Sequence, residues 1–261
     1  MMMSRMIIAG ATALAMMAAL GPASAQEKFV ARYGEARTIL AFKVSDAALQ
    51  KVLPEGWQSS PIGAGPSKDA NLTLSFIDWL VVQGPDGKPG DTLFLAALSV
   101  PVKKKGTDAT VAMVVTGLSS KVSYVPGASG TFALGKANVQ RSVRTDAEGV
   151  SKAEESWEFK GEGGDSIQLQ LQYVRSLPTR GKVEAKIYSA IKPDFYRIYR
   201  IEQAVDVVRS VPAGTDHAQK YVFKASGRQL SQFFDGSEQL ISITSLPWYA
   251  REVFLPDQRT Q

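Results

Sequence analysis

The sequence predicts a mainly β (α+β) fold, a single domain built as a closed antiparallel β-barrel with two or three short helices. Apolar residues recur with period two in short runs that Gly, Pro, Asp and Ser bound. In "SIQLQLQYV", Ile167, Leu169, Leu171 and Tyr173 alternate with glutamines, which gives that strand one dry and one wet face. No Pro- or Ser-rich linker and no repeat divides the chain, so we expect one domain.

The chain begins with a pattern typical of a cleavable signal peptide. Arg5 precedes the apolar run "MIIAGATALAMMAAL", and Ala23 and Ala25 supply the small residues of a cleavage site. The run is shorter than the roughly 20 residues that a membrane-spanning helix needs. We therefore expect residues 1–25 to be removed. Residues 26–261 would form the mature domain, which would be periplasmic or secreted and not stably inserted in a membrane.

Further strands are expected wherever the alternation recurs. They cover residues 37–44, 72–83, 92–100, 109–116, 130–143, 154–160, 183–190, 196–210, 219–225 and 240–246. Ser45 or Asp46 can cap a short helix over 45–53, and a second helix is expected over 228–235, where Gly236 ends it. So many short antiparallel strands favour a closed barrel, because closure removes exposed strand edges.

The composition excludes several functional classes. The 30 basic and 25 acidic residues are scattered, so no nucleic-acid partner is predicted. The chain has no cysteine, which excludes disulfides, thiolate nucleophiles and sulfur metal sites. The single histidine, His217, lies beside Asp216 in a polar turn and favours a solvated loop. We expect no metal and no cofactor, and the partner is a small-molecule ligand or substrate. The sequence leaves the oligomeric state open.

Lys136 is the strongest candidate for chemistry, and two orientations are open to it. In "GTFALGKANVQ" it shares one face of a strand with Phe132 and Leu134. If that face is the barrel interior, desolvation would favour a neutral amine, which can attack a carbonyl group to form a Schiff base. If the face turns outward beyond Leu134, Lys136 lies in water together with Asn138 and Gln140.

Asp78 and Arg197 are the polar candidates for substrate binding, and Phe132 and Leu134 complete the predicted substrate-binding set. Asp78 interrupts an apolar run, a position that also suits a carboxylate at a strand end or bulge. Arg197 and Arg200 lie on opposite faces of one strand, so at most one of them can face an interior and hold a carboxylate.

Several stretches resemble the acetoacetate decarboxylase-like superfamily in order and spacing. They are "ALQKVLPEGW", "NLTLSFIDWLVV", "VPGASGTFALGK" and the closing "GRQLSQFFDGSEQLISITSLPWYAREVFLP". The resemblance covers most of residues 37–256 and implies a cone-like antiparallel β-barrel whose reactive lysine points into a largely apolar cavity. The family segment has two glycines followed by a Pro-Lys-Lys run. Here Gly130 and Gly135 match the glycines and Lys136 is the available lysine, but no proline precedes it and Ala137 stands at the second lysine.

Three functions remain open from the sequence. In the first, an exported lyase, Lys136 forms an iminium with a small β-keto acid or related carbonyl compound, and the iminium accepts electrons during carbon–carbon cleavage. In the second, the barrel is a non-catalytic module that binds an apolar or carboxylate-bearing small molecule. In the third, the protein is structural and its side chains fill the barrel.

Overall fold

The computed structural model describes residues 27–256, and the expected leader, residues 1–25, lies outside this range. The described residues form 13 strands, one α-helix and one 3₁₀ helix. The strands are β1 (Lys28–Lys43), β2 (Trp57–Ser59), β3 (Leu72–Gln83), β4 (Phe94–Lys104), β5 (Val111–Ser119), β6 (Phe132–Thr145), β7 (Ser151–Gly161), β8 (Ser166–Val174), β9 (Thr179–Ser189), β10 (Tyr196–Ser210), β11 (Thr215–Asp216), β12 (Ala218–Ser226) and β13 (Gln239–Leu255).

Helices contribute little to the described fold. The α-helix is α1 (Asp46–Gln50), and the 3₁₀ helix is Val122–Tyr124. The Ser45 hydroxyl accepts a hydrogen bond from the backbone N–H of Ala48, so the predicted cap is confirmed. Across residues 27–256, no helix combines the length and the apolar character that crossing a bilayer requires.

Seven strands close into a barrel. β1 pairs with β3 and β13, β13 pairs with β10, and β10 pairs with β9. On the other side β3 pairs with β4, and β4 pairs with β5. A short parallel pairing between 112–114 of β5 and 187–189 of β9 closes the ring. The predicted closed β-barrel is confirmed. It was predicted to be antiparallel, and its closure instead uses one parallel pair that the sequence pattern did not indicate.

A second antiparallel sheet, formed by β6, β7, β8 and β12, covers part of the outer barrel wall. It joins the barrel where 132–134 of β6 run parallel to 117–119 of β5. The larger hydrophobic core fills the space between the second sheet and the wall, where the rings of Phe76 and Trp157 lie 5.6 Å apart. A smaller apolar cluster lies inside the barrel itself.

Wall strands that the second sheet covers bury both of their faces. On β3, Phe76 faces the larger core and Ile77 faces the barrel interior. On β4, Leu98 faces the larger core and Ala97 faces the barrel interior. Because both faces are apolar, these strands read as nearly continuous hydrophobic runs. Their sequence therefore gives no indication of which face lines the barrel.

The first and last strands are longer than the sequence pattern predicted. β1 begins at Lys28 instead of residue 37, and β13 continues to Leu255 instead of ending at residue 246. Gly34 and Pro247 interrupt the alternation near these points. Register shifts occur beside both residues, and these β-bulges allow the strands to continue past the interruptions.

The predicted helix over 228–235 is wrong. Residues 228–233 form successive turns, in which the backbone N–H groups of Phe233 and Phe234 both donate to the carbonyl of Leu230. All three side chains pack into the larger core. Three large apolar residues within five positions hold the backbone against the core, and a regular helical ladder does not form.

Candidate functional site

The barrel interior contains a group of polar and aromatic side chains, called here the barrel cluster. Its members come from β1, β3, β6, β10, β13 and the 3₁₀ helix. They are Tyr33, Glu35, Arg37, Trp79, Tyr124, Phe132, Arg197, Tyr199, Tyr249 and Arg251.

Strand register brings these side chains together. Tyr33 of β1 lies opposite Arg251 of β13, and Glu35 lies opposite both Tyr249 of β13 and Trp79 of β3. Successive side chains of a strand point to opposite faces, so residues two apart share one face. The alternation on β1 and β13 therefore directs the charged and aromatic residues inward.

Glu35 is the anionic centre of the barrel cluster. Its carboxylate accepts a 2.8 Å hydrogen bond from Nε of Arg251 and a 2.6 Å hydrogen bond from Nε of Arg37. The Glu35 side chain is completely buried, and those of Arg251 and Arg37 are 6% and 10% exposed. Removing one partner of such a buried group leaves an uncompensated charge, which costs several kcal/mol. The three residues act as one structural unit.

Aromatic rings hold the two paired guanidinium groups in position. Cζ of Arg251 lies 4.4 Å from the ring centroid of Tyr33 and 4.4 Å from that of Tyr199. Cζ of Arg37 lies 3.7 Å from the ring centroid of Tyr249. Stacked guanidinium groups of this kind keep their charge and a fixed orientation. Burial alone would lower the pKa of Arg251, but the Glu35 carboxylate raises it above its ordinary value.

Arg197 is the third arginine of the barrel cluster, and within the described residues no ion pair neutralises its charge. It is half-buried, and its Nε atom is buried without a hydrogen-bond partner. Among residues 27–256, no carboxylate oxygen lies within ion-pair distance of its guanidinium group. Arg197 lies close enough to Tyr33 and Tyr124 to oppose the effect of burial, which raises the pKa of both phenols.

Two further polar atoms of this region are buried without a partner among the described residues. They are Nε1 of Trp79 and Oγ1 of Thr131. Trp79 packs against Tyr124 at 4.9 Å between ring centroids, and Tyr124 packs against Phe132, which follows Thr131 in the chain. Buried donors are normally satisfied, so unpaired donors around one aromatic group indicate a place where an acceptor can bind.

The structure brings together only part of the predicted site. Phe132 and Arg197 both lie in the barrel cluster, and Arg200 lies on the outer face of β10, paired with Glu184 and Glu27. Leu134 is half-buried and belongs to neither hydrophobic core. Of the two β10 arginines, the interior one is thus Arg197.

Lys136 has the outward orientation of the two that the sequence left open, and its side chain is exposed. β6 leaves the barrel at Gly135, where its pairing changes from β5 to β7. From there Ala137 and Val139 face the larger core, because the second sheet packs against the outer barrel wall. The strand face that Phe132 presents to the barrel interior is therefore exposed to solvent at Lys136, four residues later.

Asp78 lies on the opposite side of the barrel wall from Trp79. Its carboxylate is 3.7 Å from Arg141, which is 3.6 Å from Glu155. Glu155 is buried and accepts hydrogen bonds from Thr38 at 2.5 Å and from Trp157 Nε1 at 2.9 Å. Burial raises the pKa of Asp78, with Arg141 opposing it. This separate polar network stabilises the contact between the two sheets and does not adjoin the barrel cluster.

No lysine of residues 27–256 is buried, and only Lys43 and Lys103 are half-buried. Lys43 is the last residue of β1, where it pairs with Asp46, and Lys103 is the next-to-last residue of β4. Nor does the described part of the chain contain a group of three or more His, Asp or Glu side chains arranged to hold a metal ion. The chemistry available in the barrel cluster is therefore that of arginine, tyrosine and one paired carboxylate.

Sequence reasoning missed four of the ten members of the barrel cluster because the terminal strands were drawn too short. Tyr33 and Glu35 precede residue 37, and Tyr249 and Arg251 follow residue 246. The signal was present in "RYGEAR", where Tyr33, Glu35 and Arg37 alternate with glycine and alanine. Charged and aromatic residues at period two, separated by small residues, indicate a polar strand face.

No family model matches the sequence, and no curated protein sequence matches it.

Comparison of folds does find similar structures, all at low sequence identity. The enduracididine biosynthesis enzyme MppR with HEPES buffer bound superposes with a TM-score of 0.59 at 12% identity, over 90% of this chain and 96% of that chain. MppR complexed with pyruvate gives 0.55 at 10% identity, over 90% and 91%. An acetoacetate decarboxylase-like enzyme from Sphingomonas wittichii RW1 gives 0.53 at 12% identity, over 95% and 99%. The chain thus has the fold of acetoacetate decarboxylase-like enzymes, as the sequence resemblance predicted.

Proposed function

We propose that this chain, with its acetoacetate decarboxylase-like fold, binds a small carboxylate in the barrel cluster without a covalent bond to the protein. The proposal rests on Arg197, a half-buried cation near Tyr33 and Tyr124. Its Nε donor is buried without a partner, and it forms no ion pair among residues 27–256. A guanidinium group binds a carboxylate through two parallel hydrogen bonds, and a sheltered site strengthens them. The ligand would supply the missing acceptor.

The donors of the barrel cluster outnumber its acceptors. The two Glu35 oxygens already accept from Arg251 and Arg37, which uses only part of the donor capacity of those guanidinium groups. Nε1 of Trp79 adds one more free donor. A ligand that fits this group must accept hydrogen bonds and carry negative charge. The aromatic rings favour a compact organic anion over a hydrated inorganic one.

The comparison structures support a small organic acid as the class of ligand. One of the structures with this fold is a complex with pyruvate, and another holds a condensation product of pyruvate and imidazole 4-carboxaldehyde. Fold does not fix function, so the ligand class of this chain depends on its own arginines.

Schiff-base chemistry finds no support in the geometry of this chain. Lys136 is exposed on the second sheet, and the described lysines lie outside the barrel cluster. Glu35 is bonded to two arginines, which leaves it unavailable as a general base. We therefore favour binding over carbon–carbon cleavage.

The test is calorimetric titration of the purified protein with pyruvate and with acetoacetate. We expect binding of at least one of them, and at least a tenfold loss of affinity in Arg197→Gln, because charge-assisted hydrogen bonds contribute about 1.5–3 kcal/mol. Arg200→Gln is the matched control, since Arg200 lies three residues away on the outer face. Equal affinity of Arg197→Gln and the wild type would refute the site.

A second measurement separates binding from catalysis. With acetoacetate and borohydride, we expect no stable adduct on Lys136 and no release of carbon dioxide. Preferential labelling of Lys136 over the exposed Lys121 and Lys152 would contradict the non-covalent proposal and favour the lyase hypothesis.

A further inference from the structure

The barrel cluster contains more positive charge than one carboxylate neutralises. Its charged members are Arg37, Arg197, Arg251 and Glu35, so three positive charges and one negative charge leave two positive charges. Burial raises the pKa of Tyr33, Tyr124 and Tyr249 above the ordinary value near 10, and these phenols stay neutral at physiological pH.

Carboxylates on the neighbouring strands are engaged elsewhere in the described structure. Asp78 and Glu155 lie on the other side of the barrel wall and are engaged with Arg141. Asp206 accepts hydrogen bonds from the backbone and the hydroxyl of Ser176. Among the described residues, Glu35 is the one carboxylate that forms an ion pair with an arginine of the barrel cluster. Excess charge that is removed from water is costly until an anion neutralises it.

The two uncompensated charges have separate positions along the barrel. Arg251 lies opposite Ile201, four residues along β10 from Arg197, which corresponds to roughly 13 Å between the two backbone positions at about 3.3 Å per residue. Tyr199 lies between them on the same face, and its ring packs against Arg251. Arg197 thus marks one end of the site, and the Arg251 and Arg37 pair marks the other.

We propose that the ligand is a short dicarboxylate that spans the barrel cluster, and this rests on the proposed carboxylate-binding function. One carboxylate binds Arg197. The other accepts hydrogen bonds from the N–H groups of Arg251 and Arg37 that Glu35 leaves free. The intervening carbon chain packs against the rings of Tyr199 and Tyr33. Two unit negative charges neutralise the two excess positive charges, and no bond is made or broken.

The experiment compares glutarate with valerate, which have carbon chains of equal length and differ in one carboxylate. Calorimetric titration of the purified wild-type protein should show glutarate binding at least tenfold more tightly. Arg197→Gln should reduce the affinity for glutarate to that for valerate, because it removes one of the two anchoring cations. Arg200→Gln, on the outer face, should keep the full preference.

The outcomes separate this inference from the function on which it rests. Equal affinity of the wild type for glutarate and valerate would overturn the dicarboxylate and leave carboxylate binding in place. A preference for glutarate that survives in Arg197→Gln would also overturn it, because Arg197 would then not be an anchor. Binding of neither acid, nor of pyruvate or acetoacetate, would overturn both proposals.

Discussion

Replacing Glu35 by glutamine tests the ion-pair centre of the barrel most directly. The substitution preserves shape but removes the only negative charge of the barrel cluster, and it leaves the buried guanidinium groups of Arg37 and Arg251 without a carboxylate. Breaking a buried pair by removing one partner costs about 3–5 kcal/mol. A domain stability of about 5–15 kcal/mol can absorb this loss, so the variant should still fold.

Urea unfolding, followed by tryptophan fluorescence, measures the effect. With a slope of about 1–3 kcal/mol per molar urea, a loss of this size lowers the midpoint by at least about 1 M. The control is Glu184→Gln, because Glu184 forms a comparable contact with Arg200 on the exposed outer face. Exposed ion pairs contribute about 0–1 kcal/mol, so the control midpoint should move little.

A double variant tests whether the loss comes from the pair itself. Glu35→Gln combined with Arg251→Gln should cost clearly less than the sum of the two single changes, because each change removes the interaction that the other also breaks. A midpoint for Glu35→Gln no lower than that of Glu184→Gln would refute the reasoning. Additivity of the two barrel changes would refute it as well.

Three further predictions concern packing, ionisation and processing. Gly117→Ala should destabilise the fold by about 1–3 kcal/mol in urea unfolding, because a Cβ there would lie 2.6 Å from the Phe132 ring and 2.7 Å from the Ala96 carbonyl oxygen. Gly181→Ala is the control and should leave the stability unchanged, because a Cβ at residue 181 would have no atom within 4 Å. Burial raises the pKa of Tyr33, Tyr124, Tyr173 and Tyr249, so absorbance at 295 nm should show phenols that ionise only when the protein unfolds. The free energy of unfolding should therefore fall as the pH rises above about 10, and complete titration of the folded protein near pH 10 would contradict this. The mature chain should begin at Gln26 outside the cytoplasm, which N-terminal sequencing of the exported protein checks, and a retained Met1 would refute it.

The fold class could be read from local pattern because strand periodicity is a local property. Alternation such as that of Ile167 to Tyr173 requires only that one strand face be dry, and the structure places these residues in the larger core. The short helix after Ser45 was predictable for the same reason, since a cap acts over a few residues. The second predicted helix failed because packing of Leu230, Phe233 and Phe234 prevailed over local propensity.

The candidate site was only partly predictable, and the β10 arginines show why. Side chains alternate along a strand, so Arg197 and Arg200 must lie on opposite faces and one interior arginine could be expected. Which of the two faced inward depended on how β10 packs between β9 and β13. Glu35 and Arg251 are 216 residues apart in sequence, and only the barrel's closure and register place them in contact.

Lys136 marks the boundary between what the sequence by itself determined and what only the tertiary structure decided. The sequence established that Lys136 shares a strand face with Phe132, because side chains alternate along any extended chain. It could not establish that β6 changes partners at Gly135, from the barrel to a sheet that packs on the barrel's outer wall. Which face of a strand is interior depends on the layer packed against it, and that layer is made of residues distant in sequence.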